Sequence, residues 1–278
     1  MKKVITILFC FLTLFSYSQK SYIHGTIIMV AIVKDSIVMV ADSRGAIRVL
    51  DPLNCAGAAG YIDSFPKIFE IKGYLIATAG EFMIGNKFVQ QIVKDFNKKY
   101  PQKINFQETI MKFQSYLDSV YPTSIYTTSK KQQFIAAGFM RNKPQTITFN
   151  RNDLPAKISS FNSEGVNANE HKILAYIPKY KAERFDCRTV ANVFEKCILD
   201  FAKDNNKEAC IGGAISVAKM TSPSKITWVK NNFNNREYLN FNQFINDLKL
   251  EKITLTPLIK NGREIGIKYL ETNPNYRP

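Results

Sequence analysis

The chain is poor in the residues that most often hold metals. Among 278 residues there are two histidines, His24 and His171, and five cysteines, Cys10, Cys55, Cys187, Cys197 and Cys210. Their spacing matches no zinc pattern, so neither a metal site nor a cofactor is expected. Beyond the first two dozen residues no stretch has the length and apolarity of a membrane-spanning helix. Blocks of like charge are also missing. The 38 Lys and Arg residues outnumber the 23 Asp and Glu residues and give a formal net charge of +15. They are dispersed, which favours a solvated basic surface over a specific nucleic-acid site. Internal repeats and long low-complexity segments are absent as well.

What is present begins with an export pattern. Lys2 and Lys3 precede an apolar run from Val4 to Phe15 that is too short to span a bilayer, and Ser16 and Ser18 are small residues where a signal peptidase reads. Residues 1–18 therefore read as a signal peptide cut before Gln19, which places the protein in the periplasm or outside the cell. Cys10 lies inside the apolar run and not at its end, which argues against a lipid anchor there. Residues 19–25 remain as a short leader. An exporting compartment allows Cys55, Cys187, Cys197 and Cys210 to pair, in combinations the sequence leaves open.

The stretch from Gly25 to Arg44 organises the rest. Two runs rich in Val, Ile and Met, Ile27 to Val33 and Ile37 to Ala41, flank the polar turn Lys34-Asp35-Ser36. Neither run alternates apolar with polar, so both faces of both strands are predicted to be buried. A hairpin returns Asp42 beside Thr26. A threonine hydroxyl needs a base to become a nucleophile. Cleavage between Gly25 and Thr26 would free an α-amine with a pKa near about 8, suited to that task. A buried hairpin with a capping threonine is the plainer alternative.

Gly25-Thr26, the hairpin and Ala41-Asp42-Ser43-Arg44 resemble the start of a proteasome β-type subunit, an N-terminal-nucleophile (Ntn) hydrolase. Lys67 to Ile71 resembles that family's lysine-bearing strand, Ala77-Thr78-Ala79-Gly80 its following strand and glycine turn, and Gly212-Gly213 its late glycine pair. The resemblance covers residues 25 to about 230 and implies an α+β fold, an αββα four-layer sandwich. It implies that Thr26 is the nucleophile, that Lys67 favours the basic form of the Thr26 amine, and that Asp42 holds Lys67. The Gly80 N–H would serve an oxyanion hole, Glu208 would orient the amine, and Arg44 would brace the loops. The chain departs from the family in its export and in a longer segment after Arg44. It departs also at Glu208, where an aspartate is usual, and at Ile211, where a serine is. Ser163 matches the family's further serine only weakly and reads as a surface turn.

Elsewhere the periodicity predicts helices over residues 84–99, 106–120 and 188–203, the second with a capping box from Asn105 and Glu108. Strands are expected over 134–140, 145–150, 157–161 and 214–220, and Gly45 to Pro66 reads as a loop with a short strand near residues 47–50. Residues 26–230 form one predicted domain. Residues 231–278 form a carboxy-terminal extension with a short helix over 241–248 and a hairpin around Asn261-Gly262. The implied activity is that of an N-terminal-threonine peptidase or amide hydrolase acting on a peptide or a small amide, with homo-oligomers within the resemblance. The alternative, motivated by Ile211, is a non-catalytic binding or assembly protein of the cell envelope on the same fold.

Overall fold

Uninterrupted apolar runs form strands buried on both faces, and the described residues open with two of them. The computed structural model describes residues 26–48, 58–63, 65–85, 87–102, 104–121, 132–150, 158–159, 166–168, 171–180, 186–204, 211–231 and 241–272. The segments expected to be signal peptide and leader, together with Cys55, Ser163, Glu208 and Cys210, lie outside these residues.

The hairpin comprises β1 (Ile28–Val33) and β2 (Ser36–Ala41). It is followed by β3 (Arg44–Arg48), β4 (Ala58–Asp63), β5 (Ile68–Ile71) and β6 (Tyr74–Ala79). A two-residue pair, β7 (Met83–Ile84) and β8 (Lys87–Phe88), precedes helices α1 (Val89–Lys99) and α2 (Phe106–Val120). Then come β9 (Gln133–Met140), β10 (Lys143–Asn150), β11 (Ile158–Ser159), β12 (Val166–Ala168) and a 3-10 helix over His171–Lys179. Helix α3 (Cys187–Asp204), β13 (Ser216–Ser222), β14 (Lys225–Lys230), α4 (Phe241–Lys249), β15 (Thr256–Pro257) and α5 (Gly262–Thr272) complete the order.

Two five-stranded antiparallel sheets run in the orders β12-β1-β2-β13-β14 and β11-β10-β9-β6-β5. Alternation along β1 divides its side chains between two cores. Ile28, Val30 and Ile32 meet the second sheet, in a core that includes Leu75, Ile76 and the aromatic stripes of α1 and α2. Met29, Ala31 and Val33 meet Phe194, Ile198 and Phe201 of α3. The expectation of burial on both faces therefore holds. Cys187 and Cys197 carry free thiols. Burial, then the charge of Asp200, pushes the Cys197 thiol up to about 11, the state of an inert core cysteine. Among the described residues no helix is long and apolar enough to cross a membrane.

Helix α2 starts where the capping box placed it: Asn105 Oδ1 accepts the Glu108 N–H at 2.9 Å. Other expectations are corrected. The segment after Arg44 contains a real hairpin, in which β3 pairs with β4. Met83–Ile84 and Lys87–Phe88 are two short strands, so α1 begins only at Val89. The tail holds a helix where a second hairpin was expected. Asn261 adopts a left-handed backbone, φ 56°, but it leads into α5, which buries Gly262, Gly266, Ile267 and Leu270 at helical spacing. This tail builds a third core: Phe244, Leu248, Ile253, Leu255, Ile267 and Leu270 cover Ile47, Ile62 and Phe65 of the earlier segment. A third sheet, β15-β4-β3, joins the two parts of the chain.

Candidate functional site

Asp42 stands one residue past β2, where the hairpin brings it back to the start of β1. Its N–H donates to the Ile27 carbonyl at 3.2 Å, and its Oδ1 accepts the Ile27 N–H at 2.8 Å. Lys67, at the foot of β5, donates from Nζ to the same oxygen at 3.0 Å and to the Arg44 carbonyl at 2.7 Å. The other carboxylate oxygen accepts the N–H of Gly212 at 3.1 Å and, at 3.3 Å, that of Arg44, which is shared with the Gly212 carbonyl at 3.0 Å. Asp42 is fully buried and Lys67 only 5% exposed. A carboxylate and an ammonium taken out of water are costly unless paired and hydrogen-bonded. These donors and the ion pair meet that requirement.

Burial pushes the Lys67 ammonium below the usual lysine range. The charge and hydrogen bond of Asp42 pull it back up, Asp63 helps, and Arg44 opposes. Thr26, also buried, immediately precedes Ile27, so the peptide leaving Thr26 and the Lys67 ammonium share one carboxylate oxygen. Across the second sheet the Thr78 N–H donates to the Lys67 carbonyl at 2.9 Å, which sets Thr78 opposite Lys67. Gly80, two residues on, lies just past the end of β6. Its φ of +112° suits glycine, which leaves the backbone open to close approach. Thr26, Asp42 and Lys67 thus gather at one end of the sheets, Gly80 follows the last residue of β6, and Glu208 lies outside the described residues.

The Arg44 side chain is anchored across the β3–β4 pair. Its Nε and Nη2 donate to the two oxygens of Asp63 at 2.6 and 2.8 Å, and its Cζ sits 3.6 Å from the centroid of the Tyr61 ring. Gly212 and Gly213 fit against this arrangement. A Cβ on Gly212 would come within 2.9 Å of Arg44 Cζ, and one on Gly213 within 2.6 Å of Ser43 Oγ and 3.0 Å of Asp63. Gly213→Ala, at φ +75°, is expected to destabilise the fold by about 2 kcal/mol, through the left-handed backbone and the overlap together. Denaturant unfolding checks this as a lowered midpoint at unchanged slope. Sequence reasoning gave no role to Tyr61, Asp63 or the Gly212 N–H. The glycine pair was the visible sign of the last; Tyr61 and Asp63 sat in what read as a loop.

No protein-family model matches the chain, and no curated protein does. Among solved structures the chain is similar to a Gly-1 mutant of Anbu from Hyphomicrobium sp. strain MC1, with a TM-score of 0.52 at 12% identity, covering 82% of this chain and 96% of that one. Anbu is a proteasome-like relative of the Ntn hydrolases, and at this identity the likeness is one of fold.

Proposed function

We propose that this protein is an exported N-terminal-threonine amide hydrolase on an αββα four-layer sandwich, made active by cleavage between Gly25 and Thr26. The observation that carries the proposal is the buried Asp42 oxygen that accepts both the Ile27 N–H and the Lys67 ammonium. A lysine and an aspartate so deeply placed beside a threonine at the start of a strand are costly to keep for packing alone.

In the proposed reaction, Thr26 Oγ attacks the amide carbonyl while the freed α-amine takes the hydroxyl proton. The Gly80 N–H receives the negative charge that forms on the carbonyl oxygen. As the C–N bond breaks, the amine passes its proton to the leaving nitrogen, and water then hydrolyses the Thr26 ester by the same route. The Lys67 charge disfavours protonation of the α-amine and keeps it basic; Asp42 fixes Lys67; Glu208 orients the amine end. The substrate is a peptide or a small amide, and assembly into homo-oligomers belongs to the same proposal.

A second reading has one observation in its favour. Ile211, where the family has a serine, is buried in the core beneath α3 and supplies no hydroxyl, as in a non-catalytic binding or assembly protein. Both readings meet one experiment: N-terminal sequencing and intact mass of the exported protein, before and after treatment with a β-lactone that acylates an activated hydroxyl. A chain beginning at Thr26 that gains one acyl group on that residue is the expected result. A chain that keeps residues 19–25 and takes no acyl group overturns the hydrolase reading.

A further inference from the structure

Two of the hydrogen bonds that hold Lys67 and Asp42 run through the backbone of Arg44: its carbonyl accepts from Lys67 Nζ, and its N–H reaches Asp42 Oδ2. The Arg44 side chain is anchored elsewhere, in a two-pronged bond to Asp63 over the Tyr61 ring. Asp63 and Tyr61 stand two apart on β4 and so share a face, while Ile62 between them points the other way, into the third core. That core is built chiefly by the carboxy-terminal tail. The tail also holds β4 through its backbone: Thr256 and Pro257 pair with Tyr61 and Gly60, and the Leu258 N–H donates to the Ala59 carbonyl at 2.9 Å. On that same carbonyl α5 approaches so closely that a Cβ on Gly262 would lie 2.1 Å from it.

We infer that Asp63 is a positioning residue for the Thr26 site, acting through Arg44, and that the carboxy-terminal tail holds Asp63 where the site needs it. The inference rests on the hydrolase reading. An arginine–carboxylate pair at this level of exposure, 15% and 35%, contributes little to stability by itself. Its effect lies in the placing of the Arg44 peptide units against Lys67 and Asp42. Lys67 is faced by Asp42 from the end of β2, by Arg44 from β3 and by Asp63 from β4. Replacing Asp63 by asparagine removes a negative charge that favours the Lys67 ammonium and frees the Arg44 carbonyl to drift from it. Lys67 then loses its proton at lower pH.

The test uses the full chain and measures β-lactone acylation of Thr26 against pH, in the wild type and in Asp63→Asn, alongside a titration of the Lys67 ¹⁵Nζ resonance. The expected result is acylation slowed about 10-fold or more, with the alkaline limb and the ¹⁵Nζ titration both moved to lower pH, the far-ultraviolet spectrum unchanged, and the melting temperature lowered only slightly, as the lowered Lys67 pKa requires by linkage. Arg44→Lys keeps the charge but not the two-pronged geometry; it should slow acylation similarly and serves if Asp63→Asn does not fold. A wild-type rate together with an unmoved limb and titration in Asp63→Asn overturns the inference. If the wild type itself is not acylated, the hydrolase reading fails, and the titration alone decides whether Asp63 acts on Lys67: a shift supports that action and none overturns it.

Discussion

Thr26→Ala is expected to leave the chain uncut at Gly25 and to lower turnover by about 10⁴-fold or more, since a nucleophile shared by every step cannot be partly replaced. The substitution removes a hydroxyl and a methyl from a buried residue at the edge of β1, upstream of the strand's hydrogen-bonded register. Melting temperature and the far-ultraviolet spectrum should therefore stay close to wild type, which separates loss of chemistry from loss of fold. Thr26→Ser keeps the hydroxyl and should restore both cleavage and measurable turnover. Intact mass reads the first step, and hydrolysis of a peptide or amide substrate reads the second. A Thr26→Ala protein that matures and turns over substrate would remove Thr26 from the mechanism.

Asp42→Asn should produce the largest loss of stability, about 3–5 kcal/mol, the usual cost of leaving a buried charge without its partner. The change is nearly isosteric, so cavity formation does not enter. It leaves Lys67 charged with no counter-charge on Oδ1, and it turns one side-chain oxygen into an NH₂ group. If that group replaces Oδ2, it faces the donor N–H groups of Gly212 and Arg44. The sign of the pH dependence follows from Lys67. Burial already sets its folded-state pKa below the usual value, and Asp42 is the main influence pulling it up; without Asp42 it falls further. Between that depressed pKa and the unfolded value near about 10.4, the unfolded chain binds more protons, so stability rises with pH across this window. The deficit should be greatest below the depressed pKa and shrink as pH climbs through it. Adding Lys67→Met to Asp42→Asn should recover part of the loss, and urea unfolding of the four proteins of the cycle measures how much. Equal deficits at low and high pH would show that Lys67 is not the group left stranded.

Local chemistry explains which parts of this molecule were legible in the sequence. The β1–β2 hairpin announces itself through apolar runs with no alternation, because both of its faces meet a core. Helix α2 announces itself through Asn105 and Glu108, which bond to one another across a single turn. The tail misled because Glu264 to Tyr269 supports two periods at once: Ile265, Ile267 and Tyr269 alternate as a strand would, while Gly262, Gly266, Ile267 and Leu270 follow a helix. Contact with β4 settles the matter, and Ile265 is left 39% exposed. Gly57, Gly60 and two prolines made the β3–β4 hairpin look like a loop, although Gly60 lies against the tail. At the site, Thr26, Asp42, Lys67 and Gly80 were visible as short motifs. Asp63 was not, because its pairing with Arg44 runs across the hairpin and its strand is held by Thr256 and Pro257 in a distant tail.

The Gly212 N–H that closes on Asp42 lies 170 residues from it in the chain, and the strand that carries Asp63 is completed by residues later still. A growing polypeptide therefore holds Thr26, Asp42 and Lys67 long before it has the means to seat them. On the proposed mechanism the cut at Gly25 waits until almost the whole chain has been made, exported and folded. On that mechanism the freed amino terminus works as a certificate of completion: a truncated product keeps its leader, and only a finished molecule becomes armed.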